Sequence, residues 1–414
     1  MNDNKKIIFE KIYWLFNVTI LFLYGMQFMG FPYKLSFVWM AAVTAIGIVW
    51  CKRMIIDIPA ILLAMGFFSY SYIVGNDLKS MVIFTGLPVL AYLAGKALTT
   101  KIYSFCDAEI NSKGMLLSLT LGTFTCGLLE KYSRFFRFTE ECYSGRYWFD
   151  FWDGGIRPAT YYMFYAMMML GCFCWALYIW KRKKIVSIFF LIFIFLELAF
   201  FGWVETRTPF LIIAIVMLVG FALFLWLNRK EEYVKKTLAF GAAFIGIGIL
   251  AALVIWYGNL FDIQQSILGE ILSHDGGIFG NVRFKAQRNV LKQLFQHPMG
   301  GKKMDIAGLK YAHNVWLDIA YTAGIIPFFF VAAYTICTFI ECIKLIKSNN
   351  VSMAMKYLML GIFVALHLDY SVEPVLDANL VFWSMGTCVS GMMKGYRICA
   401  QRATDTYNRG EQQL

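Results

Sequence analysis

Charge is scarce in this chain. Asp, Glu, Lys and Arg make up 15% of its 414 residues and hydrophobic residues 59%, whereas a soluble globular domain carries about 25% charged and about 45–50% apolar residues. The shortage excludes a soluble enzyme, a disordered chain and a fibre. Signature motifs are missing as well. There is no HExxH, no P-loop, no GxSxG and no closely spaced His/Cys/Asp cluster, so neither a metal site nor a cofactor is expected. The ten cysteines include no CxxC. Cys51, Cys126, Cys172, Cys174, Cys337 and Cys388 sit inside apolar runs, where a thiol behaves as a small hydrophobe rather than as part of a disulfide framework. No internal repeat or low-complexity segment is visible, and no paired Gly/Pro-broken helices of the kind transporters use. The first apolar stretch follows Lys5, Lys6 and Lys11 and lacks a small-residue cleavage site, which reads as a retained signal-anchor span.

What the chain does have is apolar runs of membrane-spanning length. A helical span needs about 20 predominantly apolar residues. On that scale the sequence reads as an all-α polytopic membrane protein with about twelve transmembrane helices, roughly 12–30, 35–51, 57–74, 79–95, 114–129, 158–180, 185–204, 208–228, 237–257, 314–340, 353–372 and 378–394. The net charge of +12 would suggest nucleic acid in a soluble protein. Here it follows from basic cytoplasmic loops, so no nucleic-acid partner is expected. With the N-terminus inside, every inside segment is basic, including the KRKK run at 181–184, Arg229/Lys230/Lys235/Lys236 and Lys344/Lys347/Lys356. Short outside loops hold Lys34, Asn76-Asp77, and Asp369, Glu373 and Asp377. This pattern predicts an N-in, C-in topology.

The whole chain, 1–414, is expected to form a single integral membrane domain with two long external loops, roughly 130–157 and 258–313. The second loop, between spans nine and ten, carries seven Lys/Arg, four acids and three of the four histidines, His274, His297 and His313. Loops of this length are usually functional. Within it, 282–296 reads as an amphipathic helix at the outer membrane interface. Val282, Ala286, Val290, Leu291, Leu294 and Phe295 share one broad face, and Lys285, Arg288 and Lys292 form a basic stripe on another. Pro298 ends the helix and Gly300-Gly301 gives a turn.

The residues able to carry chemistry gather near the outer face. Arg207, in ETRTP between spans seven and eight, is held close to the bilayer surface. A guanidinium there either binds phosphate bidentately or caps a helix while snorkelling. His313, where the second loop enters span ten, either accepts a proton from an attacking hydroxyl or is an interfacial histidine with satisfied hydrogen bonds. Arg283, Arg288 and Lys292 supply cations on the loop helix. His367, beside Asp369 late in span eleven, is expected to face a cavity. Glu197, an acid inside span seven, is expected to hydrogen-bond a neighbouring Tyr or Ser. In the first loop Arg134, Arg137, Arg146 and Arg157 lie among Tyr143, Tyr147, Trp148, Phe149, Phe151 and Trp152, a mixture that suits sugar stacking and equally an interfacial belt.

Gly280-Asn281-Val282-Arg283, then Gln296-His297-Pro298-Met299-Gly300-Gly301, then His313-Asn314-Val315-Trp316-Leu317 with Gly324 beyond, and the Thr206-Arg207-Thr208 string upstream, together resemble the O-antigen ligase/polymerase family. The order of the motifs carries the resemblance over about 200–330, and topology carries it over the whole chain. The resemblance implies a bacterial inner-membrane glycosyltransferase that performs inverting, metal-independent transfer on the external or periplasmic side. The donor would be a glycan on undecaprenyl diphosphate, and the acceptor a glycan or lipid in contact with membrane lipid and with other polysaccharide export or assembly proteins. Arg207 and Arg283 would hold the diphosphate and His313 would act as base. Arg288, Arg157, Lys292 and His367 are the further substrate-binding candidates. A polysaccharide polymerase of O-antigen or capsule type is the leading expectation. The alternatives are a ligase moving finished glycan to lipid A-core, protein or another acceptor, and a flippase or other transporter of lipid-linked glycan.

Overall fold

The computed structural model describes residues 3–30, 34–51, 56–75, 77–100, 107–137, 147–203, 206, 208–229, 282–378 and 380–411. Its helices are α1 (Asp3–Gly25), α2 (Leu35–Cys51), α3 (Ile58–Val74), α4 (Leu78–Thr100), α5 (Ala108–Tyr132), α6 (Ala159–Gly171), α7 (Phe173–Ile179), α8 (Lys184–Trp203), α9 (Thr208–Leu227), α10 (Val282–Gln293), α11 (Val315–Ala323), α12 (Ile325–Lys347), α13 (Met353–Val372) and α14 (Leu380–Glu411). The β structure among the described residues is one antiparallel hairpin, β1 (Tyr147–Phe149) and β2 (Ile156–Pro158), with Trp148 opposite Arg157. Helix starts follow local chemistry. Asp57 accepts the Ala60 N–H at 3.1 Å, Asp107 the Ile110 N–H at 2.6 Å and Asn314 the Leu317 N–H at 3.1 Å, each satisfying an otherwise orphaned donor.

The chain is a multi-pass membrane protein. Seven of the described helices are long and apolar enough to cross a bilayer, and two shorter apolar stretches, Leu35–Val49 and Ile58–Val74, join them. Their outer surfaces are apolar: Ile185, Phe195, Leu211 and Leu218 on α8 and α9 are exposed, as lipid-facing side chains are. The interior instead collects polar groups, among them Thr99, Thr120, Ser384 and Thr387. Helix association in lipid draws on close backbone approach and interhelical hydrogen bonds. The pairing of α4 with α14 uses both. Gly391 and Gly395 on α14 lie against the backbone of α4, and the Thr99 and Thr387 hydroxyls donate across the pair to Met392 O and Pro88 O at 2.9 Å each.

The span expected at 158–180 is one of the seven, formed by α6 and α7 together over Tyr161–Ile179. One expected span is broken. The segment expected at 314–340 is two helices: α11 ends at Gly324, whose φ of +86° stops it, and the spanning helix proper is α12. The second loop therefore does not feed straight into a span. It first folds as α10, a turn and α11. The expected span at 237–257 lies outside the described residues.

Candidate functional site

α10 buries Ala286 and Val290. With Leu294 they join Met304, Ile306, Ala312, Leu317 and Ala320 in a small separate core. The loop helix is narrower on its apolar side than its sequence suggests, because Val282, Leu291 and Phe295 remain exposed. The connecting turn locks onto the α11–α12 break. Ile325 N–H donates to Pro298 O at 2.8 Å, Gly301 N–H to Thr322 O at 3.0 Å and Lys302 N–H to Tyr321 O at 2.9 Å. Gly300 has φ +66° and a Cβ there would press on the backbone of Ala323 and Gly324, so the position needs glycine.

This framework sets His313. Asp318 on α11 accepts the N–H groups of Ala312 (2.6 Å) and Asn314 (3.3 Å), which straddle His313. His313 itself has φ +54°, a left-handed conformation that costs a non-glycine residue about 1–2 kcal/mol. Clamps on both sides hold it there. Gln287 of α10 donates to His313 O at 3.0 Å, and Asn314 Nδ2 donates to Ser371 O at 3.2 Å. The histidine is thereby carried to the end of α13.

There the two ends of the described loop converge. Arg283 Nη1 donates to Val372 O at 3.2 Å and to Glu373 Oε1 at 3.1 Å. The other carboxylate oxygen of Glu373 lies 3.8 Å from His313 Nδ1, a distance that places the two groups in electrostatic contact without a formed hydrogen bond. Glu373 is 1% exposed. A carboxylate facing Nδ1 favours the tautomer protonated there, which leaves Nε2 with its lone pair. Sequence reasoning named Glu373 only as an outside-loop acid. No local signal marked it, since its partners lie 90 and 60 residues upstream.

Glu373 also forms part of the wall of a cleft of about 380 Å³, with Tyr147, Arg157, Tyr161, Lys310 and Tyr311 around it. Arg157 comes from β2. Its guanidinium donates to Asp153 at 2.7 Å, lies 3.9 Å from Asp150 and sits over the Tyr161 ring at 5.4 Å. Asp150 shapes the hairpin turn by accepting the N–H groups of Trp152 and Asp153. Burial holds its carboxyl above the usual carboxylate range, with Asp153 adding in the same direction against the opposing backbone donors and Arg157. Tyr147 and Tyr311 bring aromatic faces to the cleft, and Tyr311 approaches His313 edge-on at 6.5 Å.

The structure thus brings Arg283, His313 and, through the shared Glu373 wall, Arg157 to one place. Arg288 and Lys292 point away, exposed on the outer side of α10. His367 lies elsewhere, buried against Phe363, Phe339 and Tyr370 with Nδ1 2.8 Å from Phe363 O. It faces a packed aromatic cage, not a cavity. Arg207 lies outside the described residues. Of the loop aromatics, Trp148 is buried, stacked on Tyr162 at 4.5 Å, and has no face left for a sugar. Glu197 is bound by Lys131 Nζ at 2.6 and 2.8 Å, an ion pair where a Tyr or Ser partner was expected. Among the described residues no group of three or more His, Cys, Asp or Glu is placed as a metal-ligand set. No family model matches the chain, and no curated protein matches it.

Proposed function

We propose that the protein is an inverting glycosyltransferase of the cell membrane that takes its glycan donor from undecaprenyl diphosphate, working as a polysaccharide polymerase of O-antigen or capsule type with His313, Arg283 and Arg207 as its catalytic residues. The observation that carries this reading is the meeting of Arg283 and His313 on the buried Glu373 at the wall of an aromatic, basic cleft. On the loop charges of the sequence this reading takes that end of the bundle to face outside.

Each group has a part. The acceptor hydroxyl attacks the anomeric carbon as the bond from that carbon to the diphosphate oxygen breaks, and the lipid diphosphate leaves with the electron pair. His313 Nε2 takes the hydroxyl proton, and Glu373 across the ring stabilises the imidazolium that results. Charge develops on the departing diphosphate. Arg283 answers it with a planar fork that stays charged at any working pH, and Arg207 is the second guanidinium this reading assigns to the diphosphate. In the cleft beyond Glu373, Arg157 and Lys310 supply the cations, while Tyr147, Tyr161 and Tyr311 offer faces for sugar rings.

The test is a gel profile of surface and lipid-linked glycans in a deletion strain, complemented with wild type or with His313→Ala. Collapse of a ladder to single repeats, rescued by wild type and not by the variant, is the expected result. Long glycan stranded on its carrier would indicate a ligase instead. Rescue by both forms would remove His313 as base and favour a transporter of lipid-linked glycan.

A further inference from the structure

At the opposite end of the bundle, the C-termini of α9 and α12 and the N-terminus of α13 flank an open cavity of about 400 Å³. Three cations line it, Arg229, Lys347 and Lys356, and among the described residues no acidic side chain does. Arg229 and Lys347 are exposed, whereas Lys356 is 5% exposed and makes no ion pair or side-chain hydrogen bond with the described residues. Two further cations at this end are matched by acids. Lys394 and Arg397 bind Asp57 and Glu341 at 2.9 and 2.7 Å. The Lys356 side chain is largely withdrawn from water in a recess lined by like charges, a cost that a bound anion lowers. The loop charges assign this end to the cytoplasm, where leaflet lipids are anionic. Basic pockets between spanning helices on that side are suited to anionic headgroups. Trp226 sits at the rim, as interfacial tryptophans do, and Leu227 and Ile346 supply apolar surface beside the cations for the first methylenes of acyl chains.

We propose that this cavity is a binding site for the phosphate of an anionic phospholipid headgroup of the inner leaflet, with Lys356 as the buried contact and Arg229 and Lys347 closing over the phosphate from the rim. The site is separate from the external cleft and does not depend on the glycosyltransferase reading.

The experiment is a thermal-shift and native mass-spectrometry titration of the full chain, delipidated in detergent, with phosphatidylglycerol, phosphatidylcholine or inorganic phosphate. Phosphatidylglycerol should raise the melting midpoint and stay bound in the gas phase, and phosphatidylcholine should do neither. Loss of one charge-assisted hydrogen bond should weaken phosphatidylglycerol binding about tenfold in Lys356→Met. Arg229→Gln, an exposed change that leaves the core untouched, should weaken it in the same sense. Equal stabilisation by phosphatidylcholine would overturn the proposal. So would inorganic phosphate matching the lipid, which would make the site one for free anions, or both variants binding phosphatidylglycerol as tightly as wild type.

Discussion

Glu373→Gln separates the chemistry of the site from its architecture. The glutamine is isosteric, and its carbonyl oxygen can still accept from Arg283, now 3.1 Å from the carboxylate. What is lost is the difference between a charge-assisted hydrogen bond, about 1.5–3 kcal/mol, and an ordinary one, about 0.5–1.5 kcal/mol. Arg283 keeps 38% of its side chain exposed, so solvent screening trims that difference to about 1 kcal/mol or less. The protein should insert normally and melt close to wild type. Catalysis should not survive as well. The amide NH2 replaces the oxygen 3.8 Å from His313 Nδ1 and presents a donor to that nitrogen, so the imidazole proton moves to Nε2 and the base is lost. Losing a positioned general base costs about 10²–10⁴ in rate. The assay is extension of lipid-linked repeats by the purified protein, as the proposed function requires, with the thermal midpoint measured on the same preparation. His313→Ala/Glu373→Gln should be no slower than His313→Ala alone, because both changes remove one function. Near wild-type turnover in Glu373→Gln, with His313→Ala inactive, would refute the positioning argument.

The first of the remaining predictions concerns substrate binding: Arg157→Gln should raise KM more than it lowers kcat, and should change stability by less than about 1 kcal/mol, since its pair with Asp153 is exposed. A fall in kcat at unchanged KM would place Arg157 with the reacting atoms. Glu197→Ala strands Lys131 inside the bundle and should destabilise by about 3–5 kcal/mol, read as a lower thermal midpoint in detergent. Pairing it with Lys131→Met should recover most of the loss, and failure to recover would mean the ion pair was not the cause. Asp150 sets a pH dependence. Its folded carboxyl lies above the unfolded value, so its contribution to stability is complete below about pH 3.9 and declines as pH rises through the folded value. Asp150→Asn keeps the acceptor oxygen and should flatten that slope in melts from pH 4 to 7; an unchanged slope would assign it to another group.

The membrane architecture was legible because it depends on one-dimensional signals. Apolar runs match α2, α3, α8, α9 and α13 within a residue or two. The break between α11 and α12 was also written locally, as Gly324 followed by Pro327, but the apolar run across it read as one span. His367 is a similar case. Phe363, one turn before it, supplies both the carbonyl and a ring face, and an aromatic at that spacing argues for packing over a cavity. Long-range pairings left no such trace. Lys131 reaches Glu197 across 66 residues, and Trp148 is buried only because a short hairpin folds it onto Tyr162.

Glu373 is where those long-range pairings acquire a consequence. An acid just beyond a span reads as a solvated loop residue, yet here it is almost wholly enclosed. A carboxylate withdrawn from water must recover its hydrogen bonds from the protein. Arg283 satisfies one oxygen, while Oε2 has no hydrogen-bond partner among the described residues. The arginine and histidine that face it belong to opposite ends of the segment running from α10 to α11, and each is fixed there by further bonds to the last turn of α13. Docking of that segment on α13 and assembly of the site are therefore a single event, because the segment cannot leave without exposing Glu373. The unmatched oxygen is aimed at the one nearby group whose charge would change if His313 took a proton from an attacking hydroxyl. Arg283, His313 and Glu373 therefore belong to one docked unit, and Glu373→Gln tests whether the 3.8 Å approach of Glu373 to His313 serves more than that docking.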